Sequence, residues 1–310
     1  QGVASIGKVV LIGDHKQLPA VVQQTEEEAS VTDEGLRTIG LTDCRLSLFE
    51  RLLSRFRTAD GYDPRFVYML TRQGRMHSQI ADFPSLAFYS HKLQPVPLPH
   101  QTAPLQTTTS THGIARMLTT HRLAFVCSER PTQMASPKTN DVEARMIASI
   151  AYQAYLLCGD HFDTEQSIGI IVPYRNQISA IRNAIDQYGI SELHNISIDT
   201  VERFQGSQRD YIIYGFTIQQ RWQLNFLSSN TFREEGAWID RKLNVAMTRA
   251  RLQLTLVGNP QLLAHNTTFG QLMQYSRSQG AFLQVDTERF CRGDFEVQSR
   301  PDGLSAAQEE

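Results

Sequence analysis

An α/β fold built on a parallel, doubly wound sheet is predicted by two observations. Short apolar runs rich in β-branched residues recur along the chain: KVVLI (8–12), RFVYML (65–70), LAFVC (123–127), IGIIV (168–172), NISID (195–199), YIIYGF (211–216) and LQLTLVG (252–258). They are mostly continuous rather than alternating, as expected of strands covered on both faces. Helical stretches lie between many of them, and strands alternating with helices imply parallel pairing. The length, 310 residues, suits about two domains with ample chain for a core.

Taken in order, KVVLIG reads as a buried strand running into Gly13-Asp14-His15-Lys16-Gln17. In LSLFERLLSRF (46–56), Leu48, Phe49, Leu52, Leu53 and Phe56 form one helical stripe. RFVYML reads as a strand leading into TRQGRMHSQIADFPSLAFY (71–89), a turn followed by a helix. Residues 91–120, rich in proline and threonine, read as a long surface loop. DVEARMIASIAYQAYLL (141–157) is a helix with Val142, Met146, Ile150 and Tyr155 near one face. Asp141 and Glu143 occupy its first turn, where the helix dipole favours carboxylates. YRNQISAIRNAIDQY (174–188) repeats the pattern with Ile178, Ile181 and Ile185. Residues 218–237 read as a second long loop, and loops this long in a compact domain are usually functional or disordered. DRKLNVAMTRARLQLTLVGN (240–259) is a helix leading into the last core strand. From about 285 the polar sequence reads as a linker or frayed tail.

Composition excludes several classes. The chain is 41% hydrophobic and 20% charged, with 30 basic against 32 acidic residues and a net charge of −2. That balance neither supports nor excludes a nucleic-acid partner, because a local basic groove can sit on a neutral protein. The four cysteines are far apart with no C-x-x-C pair, which argues against a zinc or redox motif and for reduced thiols in a cytosolic (cytoplasmic) or nuclear compartment. No apolar run reaches the ~18 residues of a membrane span. The start lacks a signal-peptide pattern and an initiating methionine, so the chain is expected to begin mid-protein.

The candidate chemistry lies at strand ends. Gly2, Gly7 and Lys8 match a phosphate loop, G-x-x-x-x-G-K-[ST], up to its last place, where Val9 stands. A working loop follows a strand and opens a helix; here the glycines precede the strand, so the match reads as a decoy. Gln17, beyond the strand, offers a neutral amide to a terminal phosphate or a water. Arg72 and Arg75 stand at a strand-to-helix turn from which a guanidinium could grip a phosphate. His77 reads as a helix-start or buried hydrogen-bonded histidine rather than a metal ligand, and no metal site is expected. Pro173 is suited to opening a helix whose N-terminus could hold a phosphate. Thr200, Gln205, Gly206 and Gln208 supply neutral donors, with Gly206 permitting close backbone approach. Arg249 precedes the last strand, and Asn244 and Thr248 make an i,i+4 polar pair.

In order and spacing these residues resemble the motor core of superfamily 1 helicases, most closely the branch of the nonsense-mediated-decay RNA helicase and its DNA-acting relatives. GDHKQLPAV is similar to motif III, and SLFERL (47–52) to the connector after it. RQGRMHS resembles Q-Y-R-M-H-P, VPYRNQ motif IV, IDTVERFQGSQRD motif V, and RKLNVAMTRARLQLTLVGN motif VI. The resemblance runs from about residue 8 to 260.

It implies a RecA-like second motor domain, with residues 1–20 as the last strand and motif III of a first RecA-like domain. Residues 21–60 would be a connector, 61–284 the second domain and 285–310 the tail. ATP and Mg²⁺ would be held mainly by the first domain, whose phosphate loop and Asp-Glu pair lie upstream of this chain. By motif, Gln17 would sense the γ-phosphate and Arg75 and Arg249 would be arginine fingers. Asp14, Gly206 and Gln208 would lie at the nucleotide. Pro173, Tyr174 and Thr200 would face the backbone of a single strand of DNA or RNA. Four departures stand out: Gly74 replaces the tyrosine that stacks on adenine, Ser78 a proline, Glu202 the aspartate of motif V, and Gln208 the glutamate at the ribose. The function so implied is the C-terminal part of an ATP-dependent helicase or translocase, unable to hydrolyse ATP alone. The alternative is a strand-binding remnant without hydrolysis.

Overall fold

The computed structural model describes residues 7–59, 61–134, 136–299 and 301. They divide into two compact units between Leu70 and Thr71.

The first unit has little regular structure. Its longest helix, α1 (Leu48–Arg55), is opened by a capping box in which Ser47 and Glu50 satisfy each other's backbone N–H groups. Two expectations fail here. Neither 8–12 nor 65–70 forms a strand, and their side chains are exposed, Val9 by 61% and Ile12 by 86%. A strand's backbone polar groups need a neighbouring strand, and among the described residues neither run has one. Gly2, the first residue of the phosphate-loop match, lies outside the described residues.

The second unit carries a six-stranded, wholly parallel sheet. Its strands are β1 (Leu123–Cys127), β2 (Ile168–Val172), β3 (Ser197–Thr200), β4 (Arg209–Gly215), β7 (Ala250–Gly258) and β8 (Phe282–Leu283). A hairpin of β5 (Thr231–Glu234) and β6 (Ala237–Asp240) stands apart from it. The spatial order β8-β1-β7-β4-β2-β3 requires crossovers, which the helices supply. On one face lie α3 (Gly113–Thr120), α4 (Asp141–Cys158), α5 (Arg175–Asp186) and α8 (Thr287–Arg292). They share a core with Val126, Ile170, Val172, Ile213 and Val257. The other face is covered by α2 (Ser78–Phe88), α6 (Arg241–Met247) and α7 (Thr267–Ser278). There Phe125, Phe216 and Phe269 pack ring against ring. Two covered faces explain why the strands read as unbroken apolar runs. Gly215 is packed closely under α4: a Cβ there would sit 2.6 Å from the Cδ1 of Ile147, which would have to shift.

Three further expectations are corrected by packing. Residues 91–120 are not a plain surface loop: they carry Pro99–Thr102 and α3, and Gln101, Ile114 and Met117 are fully buried. Within 218–237, Arg221–Gln223 and Leu224–Leu227 are helical and Leu224 and Leu227 are buried. The stretch read as a tail contains α8, with Phe290 and Phe295 stacked and buried. Glu143 does not face solvent at the start of α4. It turns inward, accepting from Thr217 N at 2.7 Å and the Ser128 hydroxyl at 3.0 Å. Burial pushes its carboxyl up to about 8.

Candidate functional site

Chemistry-bearing residues of the second unit gather at two edges of the sheet. Gln208 immediately precedes β4 and Arg249 immediately precedes β7, neighbours paired at Arg209↔Ala250. They therefore lie at the amino edge, not at the carboxyl edge where parallel sheets most often bind ligands. Arg75 reaches the same place: its Nε donates to Gln208 Oε1 at 3.0 Å and its Nη1 to Thr248 O at 3.0 Å. The Arg249 guanidinium, in a residue only 2% exposed, donates to Val245 O, Ser207 O and Thr248 Oγ1 at 3.0, 3.3 and 3.1 Å. Two arginines far apart in sequence thus share Thr248 and the 207–208 turn. Gly206 shapes that turn with a φ of +89°, a backbone state glycine reaches without steric cost.

The two guanidiniums differ in what remains free. Arg75 is half-buried, and desolvation lowers its pKa. Its Nη2 has no hydrogen bond among the described residues, so one arm is available to an anion. The three nitrogens of Arg249 are engaged within its own turn and the 207 carbonyl. Arg249 is thereby a strut of the site as well as a positive charge near it.

Residues that the motif reading passed over hold Arg75 in place. Gln73 Oε1 accepts from the N–H groups of Arg75 and Met76. The buried Gln101 donates to Gln73 O at 2.8 Å and Met76 O at 3.0 Å. His100 Nε2 lies 3.0 Å from Arg75 O. Nothing in the proline-rich stretch 91–120 marks these two residues in advance. His77 behaves as expected: it caps α2 by accepting from Gln79 N, and Nε2 donates to Ala103 O at 3.1 Å. Burial and the nearby Arg122 depress its pKa to about 4.

At the carboxyl edge, Pro173 and Tyr174 follow β2 and Thr200 closes β3, the strands pairing at Val172↔Thr200. All three line an open groove of about 420 Å³ with Lys138, Arg175, Asn176, Glu202, Arg203 and Phe226. Tyr174 stacks on Phe226, centroids 5.0 Å apart at 18°, and its hydroxyl accepts from Gln223 at 3.3 Å. Lys138, Arg175 and Arg203 are exposed. Glu202 opposes them, 3.5 Å from the ammonium of Lys242, the second residue of α6. Arg203 is in turn paired with Asp199 at 3.7 Å. Over an aromatic floor the groove therefore presents three exposed cations, of which Lys138 and Arg175 make no ion pair among the described residues. Segment 200–208 joins the two edges: Thr200 and Glu202 line the groove, Ser207 and Gln208 hold the arginines.

Asp14 and Gln17 belong to the first unit. They form one turn: Gln17 N donates to Asp14 O at 3.1 Å, and Gln17 Nε2 to Asp14 Oδ2 at 2.9 Å. Among the described residues no cluster of three His, Cys, Asp or Glu could hold a metal ion, and no helix is long and apolar enough to cross a membrane.

The sequence profile of the family described as "AAA domain" matches residues 44–261. The chain belongs to this family of superfamily 1 helicases. A probable helicase of Dictyostelium discoideum is 30% identical over 91% of the chain and 25% of its own length. The ATP-dependent helicase NAM7 of Saccharomyces cerevisiae is 30% identical over 92% of the chain and 26% of its own length. The DNA polymerase alpha-associated DNA helicase A of the same yeast is 28% identical over 83% of the chain and 35% of its own length. This helicase region thus spans about a quarter to a third of the length of these relatives. Both edges of its sheet, from Arg75 to Arg249, fall inside the matched residues.

Proposed function

We propose that the chain is the C-terminal part of an ATP-dependent helicase or translocase acting on single-stranded nucleic acid. The observation that carries this reading is the meeting of Arg75 and Arg249 at Thr248. A guanidinium with one free arm in a partly desolvated turn is suited to a transferring phosphoryl group, and such a finger is worth about 10³–10⁵ in rate. Gly206 and Gln208 would border the nucleotide. Gln17 and Asp14 would act on its terminal phosphate from the first unit. Mg²⁺ would arrive with ATP and be held by an upstream RecA-like domain of the same polypeptide. The cationic groove at Pro173, Tyr174 and Thr200 would take the sugar–phosphate backbone, a mode of binding without sequence preference.

A strand-binding module without hydrolysis is the second reading, favoured by Gly74 and Gln208. Hydrolysis decides between them. In the full-length protein, ATPase stimulated by a single strand is expected, falling about 10³-fold in Arg75→Ala. The loss of melting temperature should be smaller than in Arg249→Ala, since Arg75 makes two hydrogen bonds, to Gln208 and to Thr248 O. Arg249→Ala is expected to lower both activity and stability, since it removes three hydrogen bonds, two of them buried. The 310-residue chain alone is expected not to hydrolyse ATP. Turnover by that chain, lost in Arg249→Ala, overturns the division of labour; absence of stimulated hydrolysis in the full-length protein favours the second reading.

A further inference from the structure

Four residues before Phe226 of the groove stands an indole with no hydrogen-bond or ring partner among the described residues. This residue, Trp222, is 58% exposed. It lies in the stretch whose sequence looks like a long loop and which folds as two successive helical turns, Arg221–Gln223 and Leu224–Leu227. These turns are two-faced: Gln223, Leu224 and Leu227 are buried, while Trp222, Asn225 and Phe226 are exposed. Residues four apart in a helical turn are neighbours, so Trp222 shares its face with Phe226, which lines the groove.

The position is held from beneath. Gln223 Nε2 donates to Pro137 O at 2.6 Å and to the Tyr174 hydroxyl, and its Oε1 accepts from the N–H groups of Gln219 and Gln220. Gln219 Nε2 donates to Ser136 O and Thr139 O. The turn is therefore fastened both to the loop carrying Lys138 and to Tyr174. Phe226 itself is stacked on Tyr174 on one side and lies 4.1 Å from the Lys242 ammonium, so it serves as floor, not as a free platform. Trp222 is the large aromatic ring of this face left unoccupied.

We propose that Trp222 is a base-stacking platform at the rim of the groove, taking one unpaired base of a single strand while Lys138, Arg175 and Arg203 take its phosphates. This rests on the groove being a strand site. Stacking on an aromatic ring is tolerant of sequence because every base has a π-face. It would grip a base where the cations grip only the backbone.

The chain has two tryptophans, Trp222 and Trp238, so a Trp238→Phe variant reports on Trp222 alone. This variant is titrated with a twenty-residue oligothymidylate and with an abasic oligonucleotide of equal length. Anisotropy of a labelled end reads binding, and indole emission reads stacking. Emission is expected to be quenched in parallel with binding of oligothymidylate, and unchanged on binding of the abasic strand. Trp222→Ala is expected to weaken oligothymidylate binding about five- to a hundredfold, leave abasic binding as it was, and be rescued by Trp222→Phe. Circular dichroism checks that the variants are folded. Salt-sensitive binding with unchanged emission and no loss in Trp222→Ala overturns the platform and leaves the groove standing. No binding of either strand at low salt, repeated with oligouridylate, overturns the groove and the platform with it.

Discussion

Asp240 shows how much one side chain does for the amino-edge cluster. It caps α6, accepting from Leu243 N at 3.0 Å, and α6 ends in Thr248 and Arg249. It is nearly fully buried, and its Oδ2 has no hydrogen-bond partner among the described residues. Desolvation pushes its pKa up to about 6, against the helix N–H groups and Lys242, which favour the ionised form. A carboxyl whose folded pKa lies above its unfolded value binds protons more tightly when folded. The folded state is therefore favoured at low pH and loses that advantage as pH rises through about 6, a cost of about 3 kcal/mol once complete. Asp240→Asn keeps a capping oxygen and removes the charge. Relative to wild type, its melting temperature is expected to rise between pH 4.5 and 7, read by thermal denaturation across that range. Identical pH slopes for the two proteins would show that Asp240 is not the titrating group. The gathering of carboxylates inward at 143 and 240 was not visible in sequence. A first-turn acid looks the same whether it faces water or a neighbouring loop.

At the level of elements, strands with covered faces were easy to read and helix-bearing loops were not. β1, β2, β4 and β7 announce themselves as apolar runs because both their faces are packed. α3 and α8 lack that signal: one follows a threonine-rich stretch, the other opens the polar end of the chain. Their burial depends on meeting α4, and Phe290 and Phe295 complete that side of the core. Deleting everything after Leu283 should therefore lower the melting temperature by many degrees, because truncating a buried aromatic costs about 3–5 kcal/mol. A truncated chain that melts as the intact one does would return this stretch to the status of a tail. Segment 200–208 and α6 make the complementary point. Lys242 meets Glu202 at one end of α6, and Arg249 meets Ser207 at the other. The motifs are separate words in sequence and one two-ended brace in space.

For the molecule as a whole, the sheet, both helical layers, the arginine pair and the groove all belong to the second unit. A fragment beginning at Thr71 contains every strand of the six-stranded sheet. It is expected to fold cooperatively and to bind a single strand with a modest salt slope. Three phosphate contacts predict a log–log slope of about −2 for a single strand. Circular dichroism and anisotropy at several salt concentrations test both, and a molten or non-binding fragment would show that residues before 71 are needed. The runs at 8–12 and 65–70 belong to the first unit. They carry strand composition without strand structure, since composition records only a preference and pairing requires a neighbour.

Read alone, the sequence determined the α/β class and the family. Each of these is written in local periodicity or in short ordered motifs. Only the tertiary structure decided that Arg75 and Arg249 share Thr248, that the arginines and the groove occupy opposite edges of one sheet, and that Trp222 stands bare beside Phe226. Those facts depend on which strands lie side by side and which helix covers them. Pairing and burial are settled by the whole chain at once, so no local stretch of residues encodes them.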